Sequence, residues 1–184
     1  MTDKRLILRI GDAGPPGAPI ETVAYPELVI GELDGPVGTA FAILTGDQVY
    51  GHSRVLALLN TDVSVKPATL MVSKATAKTR RYCEVLFGSV QFGIANGVLD
   101  AVRAGVIPKG RVNELGIIVS VWLDPKAVTS ERLDHRALFE SNRREMYRAL
   151  ERAMKQEPDI DWLLKNQERI IHEFHERYVS GADL

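Results

Sequence analysis

The chain has 184 residues, 45% of them hydrophobic and 26% charged, and a formal net charge of −1. That length and mix suit one packed domain, or one domain with an added arm. The near-zero charge gives no electrostatic footing for nucleic acid or an anionic membrane. Cys83 is the single cysteine, which excludes an intramolecular disulfide and fits a reducing cytoplasm.

The opening MTDKRLILRIGD carries only a five-residue apolar segment before charge returns. That is too short for a signal-peptide core or a membrane span, so the expectation is a cytoplasmic protein. RLILRI (5–10) predicts a first strand, and GDAGPPGAP (11–19), with three prolines and three glycines, predicts a loop. TVAYPELVIG (22–31) predicts a second strand. Its proline removes a ladder hydrogen bond and holds Tyr25 extended, confining the segment to a sheet edge, a strand start or a bulge.

DGPVGTAFAILTG (34–46) predicts a short helix with Pro36 in the first helical position and Gly46 just past its end. RVLALLN (54–60) and ATLMVSKAT (68–76) predict two strands. In an extended second run, Leu70, Val72, Lys74 and Thr76 share one face, apolar first and then polar, as at the rim of a cleft. GSVQFGIANGVLDAVRAGVIP (88–108) predicts a helix with a stripe of Val90, Ile94, Val98 and Val102, terminated at Gly105. LGIIVSVWL (115–123) is a nearly continuous apolar run rich in β-branched residues, so a central strand. A long helix is expected over 136–155, with Leu138, Tyr147, Leu150 and Met154 inward. A last helix from Pro158 would align Ile160, Leu163, Leu164, Ile171, Phe174 and Tyr178. This order predicts an α+β or mixed α/β sandwich and no Rossmann sheet.

Standard catalytic motifs are missing: no phosphate-binding loop, no cysteine pair for zinc, no nucleophile elbow. His172 and His175 share a helical face, but HEFH is not the zincin spacing, and histidines on a surface helix are common. Arg80 and Arg81 read as solvated surface, Cys83 as a small packed hydrophobe, and His52 as an exposed turn histidine rather than a proton shuttle.

Taken together, the segments DGPVGTAFA, GHSRVLALLN, VKPATLMVSKAT and LFGSVQFGIANGVLDAVRAGVIPK resemble the formaldehyde-activating enzyme family in order and spacing. K-P-x-T-L-x-x-x-K-x-T is the most specific block and F-G-x-x-Q the next. The likeness runs from about Val23 to about Met154. It implies condensation of formaldehyde with tetrahydromethanopterin, a reduced pterin, to the 5,10-methylene derivative and water, with no metal. It further implies a two-layer α/β sandwich resembling the second domain of ribosomal protein S5, assembled as a homopentamer with the pterin between subunits. A domain over 1–156 and a C-terminal helical extension over 157–184 follow from where the likeness stops.

Lys74 and Thr76 match the family's pterin-contacting lysine and threonine, Gln91 its glutamine and Leu56 its apolar contact. Each also has a purely structural reading: a core leucine, an exposed strand-end charge, a β-forming threonine, a first-turn polar residue. One segment departs. Where the family reads like V-A-H-I-D-L, this chain reads VAYPEL, so Tyr25 occupies the position of the proton-donor histidine and Glu27 that of a pterin-contacting aspartate. An imidazole ordinarily titrates at about 6.5 and a phenol at about 10, and losing a well-placed general acid costs about 10²–10⁴ in rate. Three readings follow. The chain is a weakened formaldehyde-activating lyase; a non-catalytic protein that binds the pterin or formaldehyde as sensor or carrier; or a subunit that joins a mixed oligomer with a related enzyme.

Overall fold

A computed structural model describes residues 5–172, apart from 16–18, 20–21, 48 and 130–131, together with 175–176 and 179. In chain order the elements are β1 (Arg9–Asp12), β2 (Glu27–Glu32), α1 (Pro36–Gly46), β3 (Arg54–Leu56), β4 (Leu58–Asn60), β5 (Val63–Ser64), β6 (Ala68–Ser73), α2 (Arg80–Val85), α3 (Gln91–Arg103), β7 (Leu115–Val121), α4 (His135–Lys155) and α5 (Ile160–Asn166). A π-helical turn, Leu86–Val90, joins α2 to α3 without a break. Strands order β1-β2-β7-β6-β3 in one sheet, antiparallel except for the parallel β6–β7 pair, and β4–β5 stand apart as a hairpin. The fold is α+β with a mixed sheet, as the order of elements predicts.

The apolar run LGIIVSV becomes the central strand because both of its faces are covered at one end; Leu115, Ile117 and Val119 are fully buried. Register then sorts the side chains. Val55, Met71, Val119, Leu28 and Gly11 form one row facing α3 and α4, while Leu56, Leu70, Ile118, Val29 and Ile10 point the other way. The next row on that second face is Arg54, Val72, Ser120, Glu27 and Asp12. α1 packs chiefly over the Gly31–Gly116 end of this face, through Val37 and Phe41, with Leu33 from the turn before it. Val29, Ile118, Ser120 and Val72 are therefore left half-buried.

The covered layer is built on the α3–α4 crossing. A Cβ on Gly93 or Gly97 would run into the α4 backbone at Phe139 and Arg143, so bare glycine lets the helices touch. Asp100 on α3 clasps Arg143 on α4 at 2.5 and 2.9 Å, and the guanidinium holds its carboxyl below the usual range. Ile94, Val98, Leu138, Met146 and Leu150 are fully buried around this contact. Each such side chain contributes about 1.5–3 kcal/mol on burial.

Several boundaries differ from the sequence reading, each for a local reason. β2 is an interior strand, and Pro26 is tolerated because it stands immediately before the strand begins. RVLALLN breaks at Ala57, whose N–H donates to Thr69 O while its carbonyl accepts from Val65 N–H, turning the chain out into the hairpin. The central helix begins at Arg80 rather than 88, because Thr79 Oγ1 accepts from Tyr82 N–H and caps it. Gly46 is the last helical residue and Asp47 the cap. The run 80–103 is also long and apolar enough to cross a membrane, although 56% of its most apolar window is buried inside the fold. In the tail, α5 is capped by Asp159 and buries no residue. Ile160 and Leu164 are exposed, and the predicted Phe174 and Tyr178 lie outside the described residues.

Candidate functional site

Glu27, the first residue of β2, points from the half-covered face toward Lys74, which follows the end of β6 and donates its N–H to Val121 O. The Lys74 ammonium and the Glu27 carboxylate form an ion pair across β7. Both side chains are partly exposed, 34% and 57%, so the pair adds little to stability and stays open to a ligand. The parallel β6–β7 pairing and the antiparallel β2–β7 pairing bring these strand ends to the same edge.

Tyr25 sits two residues before Glu27. The Pro26 carbonyl accepts from Ala13 N–H at 3.2 Å, which continues the β1–β2 ladder past the strand's formal start. The Tyr25 ring lies over Gly14, where any β-carbon would collide with it, and 37% of the residue is exposed.

Thr76 does not share an extended strand face with Lys74, contrary to the period-two expectation. β6 ends at Ser73 and the chain bends through Lys74 and Ala75. Thr76 Oγ1 instead lies 3.1 Å from His52 Nε2, while His52 Nδ1 lies 3.1 Å from Ser73 O. His52 is thus half-buried and doubly bonded, not the exposed turn histidine the sequence suggests. The contact joins residues 24 apart in sequence, so no local pattern announces it.

Leu56 and Gln91 form a second group. Gln91, buried at the start of α3, donates from Nε2 to Leu56 O at 3.4 Å. Beside them lies a groove of about 910 Å³ whose walls include Val55, Leu59, Phe87, Phe92 and Phe139. Phe92 and Phe139 stack with ring centroids 5.1 Å apart. This aromatic wall is absent from the sequence reading; its one local signal is Phe92, a phenylalanine beside Gln91 that remains 44% exposed. At the groove, Ser89 Oγ lies 2.8 Å from His135 Nδ1. The structure thus brings Glu27 to Lys74, Thr76 to His52, and Gln91 to Leu56, with β3 running from the second pair to the third.

The other residues considered from sequence take ordinary places. Arg80 pairs with Glu84 one helical turn on and is 92% exposed at its side chain. Cys83 is a half-buried free thiol. Among the described residues no three His, Cys, Asp or Glu side chains converge as a metal site would require.

Comparison with known proteins agrees with the motif reading. The family model for formaldehyde-activating enzyme (Fae) matches residues 11–175. The bifunctional enzyme Fae/Hps of Methanothrix thermoacetophila is 40% identical over 150 residues, covering 82% of this chain and 37% of its own length. The proteins of the same name from Methanococcoides burtonii and Archaeoglobus fulgidus are 36% and 34% identical, covering 90% and 86% of this chain and 40% and 39% of their own lengths. This chain therefore spans less than half of each relative. It belongs to the formaldehyde-activating enzyme family.

Proposed function

We propose that this chain condenses formaldehyde with tetrahydromethanopterin to 5,10-methylene-tetrahydromethanopterin and water, at a rate reduced because Tyr25 stands where the family places its acid histidine. The observation that carries the reading is the Glu27–Lys74 ion pair across β7. Two residues that the resemblance assigns to pterin contact are thereby neighbours in space. Lys74 offers charge-assisted donors, Glu27 an acceptor, and Leu56 with Gln91 an apolar and amide surface further along β3. Holding an aldehyde and an amine together accelerates their union even without a strong acid.

The half-covered sheet face supports the family's arrangement of a neighbouring subunit over the pterin, and with it a homopentamer of S5-like sandwiches. No metal enters the reaction as proposed. The second reading, a pterin- or formaldehyde-binding paralogue without catalysis, is favoured by Tyr25 itself, since a phenol surrenders its proton reluctantly near neutral pH.

Stopped-flow condensation of formaldehyde with tetrahydromethanopterin, with wild type and Tyr25→His, separates the two. The expected outcome is measurable acceleration by wild type and about 10²-fold or more by Tyr25→His over wild type. Pterin binding by calorimetry with no acceleration by wild type supports the binding protein. Loss of pterin binding altogether leaves only a partner subunit.

A further inference from the structure

His52 is held too firmly for a surface histidine. Gly51, with φ of +75°, turns the chain sharply ahead of it, and a β-carbon there would strike the Thr76 methyl. Two backbone bonds then fasten the residues on either side of His52 to the segment that carries Thr76. Ser73 N–H donates to Ser53 O at 3.2 Å, and Ala77 N–H donates to Gly51 O at 2.7 Å. Between these staples the imidazole faces the Ser73 carbonyl with Nδ1 and the Thr76 hydroxyl with Nε2, each at 3.1 Å. A carbonyl can only accept, so Nδ1 carries the proton and Nε2 is left to exchange one with Thr76.

We propose that Thr76 and His52 form a proton relay serving the condensation, with His52 a positioning residue and proton store that acts through the Thr76 hydroxyl. The inference rests on the function proposed above. In the dehydration step the carbinolamine C–O bond breaks, and the departing hydroxyl takes the Thr76 Oγ1 proton and leaves as water. The threonine is reprotonated from Nε2–H of the imidazolium. When the second pterin nitrogen closes on the methylene carbon, its proton returns through Oγ1 to Nε2. One water is released, no proton is consumed, and no oxidant or reductant is needed. A histidine reached through a hydroxyl would thus supply from β3's side what Tyr25 supplies poorly from β2's.

The test combines kinetics with the tautomer of His52. Steady-state condensation is measured for wild type, His52→Gln, Thr76→Val, Thr76→Ser and the His52→Gln/Thr76→Val double variant, and ¹⁵N-histidine spectra are recorded at neutral pH. The relay predicts kcat about 10²-fold lower in His52→Gln and Thr76→Val, with KM for the pterin within about threefold in His52→Gln. It also predicts a double variant no slower than the slower single, Thr76→Ser close to wild type, and neutral His52 as the Nδ1–H tautomer. Multiplying losses in the double variant, a raised KM at unchanged kcat in His52→Gln, or an Nε2–H tautomer would each overturn it. An active wild type with unimpaired His52→Gln sinks the relay alone. A wild type that does not accelerate the reaction removes the proposed function and the relay together.

Discussion

At the scale of single residues, the candidate site is built from partnerships between side chains far apart in sequence: Glu27 with Lys74, His52 with Thr76, and Gln91 with the Leu56 carbonyl. VAYPEL against a family pattern singles out Tyr25 and Glu27 without any coordinates, and the K-x-T spacing singles out Lys74 and Thr76. What was not legible is which side chain each would meet. Glu27 and Lys74 are partners only because β2 and β6 flank β7, and His52 meets Thr76 only because a turn is stapled across 24 positions. Lys74→Met tests whether the ion pair serves binding or stability. An exposed pair contributes about 0–1 kcal/mol, so Tm should fall by no more than about 3 °C in thermal unfolding. Loss of a charged hydrogen bond to the pterin should weaken its Kd about tenfold or more by calorimetry. A large fall in Tm with Kd unchanged would make the lysine structural.

At the scale of elements, the sequence located strands and helices well and their ends less well. Periodicity reports the middle of an element, whereas ends depend on caps and on tertiary bonds such as Ala57 to Thr69, which interrupts RVLALLN. The strand β2 shows the same lesson in its last residue. Glu32 is nearly buried and accepts from Arg5 at 2.6 Å, Leu6 N–H at 2.9 Å and Arg111 at 2.6 Å. With the Arg5 bond first among the causes, its carboxyl is held down to about 2. A depressed carboxylate stabilises the fold above its unfolded value and ceases to do so as pH falls through the folded one. Tm should therefore drop as pH falls from about 4.5 toward 2, and Glu32→Gln should show a lower Tm at neutral pH with a flatter slope over that window. Parallel slopes for the two proteins by differential scanning calorimetry would assign the acid sensitivity elsewhere.

At the scale of the whole molecule, the α3–α4 layer and the sheet beneath it hold most of the buried core, α2 and the connecting segments adding the rest, and α5 contributes no buried residue. A chain ending at residue 156 should keep its Tm within about 2 °C in thermal unfolding, because none of the described residues of the tail is buried. A fall of about 10 °C would place 157–184 inside the cooperative unit. The molecule is also nearly neutral, with a formal charge of −1, so long-range attraction does little to gather a ligand. That gives the Glu27–Lys74 bridge a consequence of its own. The unliganded edge already has its charges matched, and an anionic group that takes the lysine must displace the glutamate first. Entry is a charge exchange rather than a charge addition. Added salt therefore acts twice and in opposite senses, loosening the resident pair while screening the incoming one, and the two effects offset.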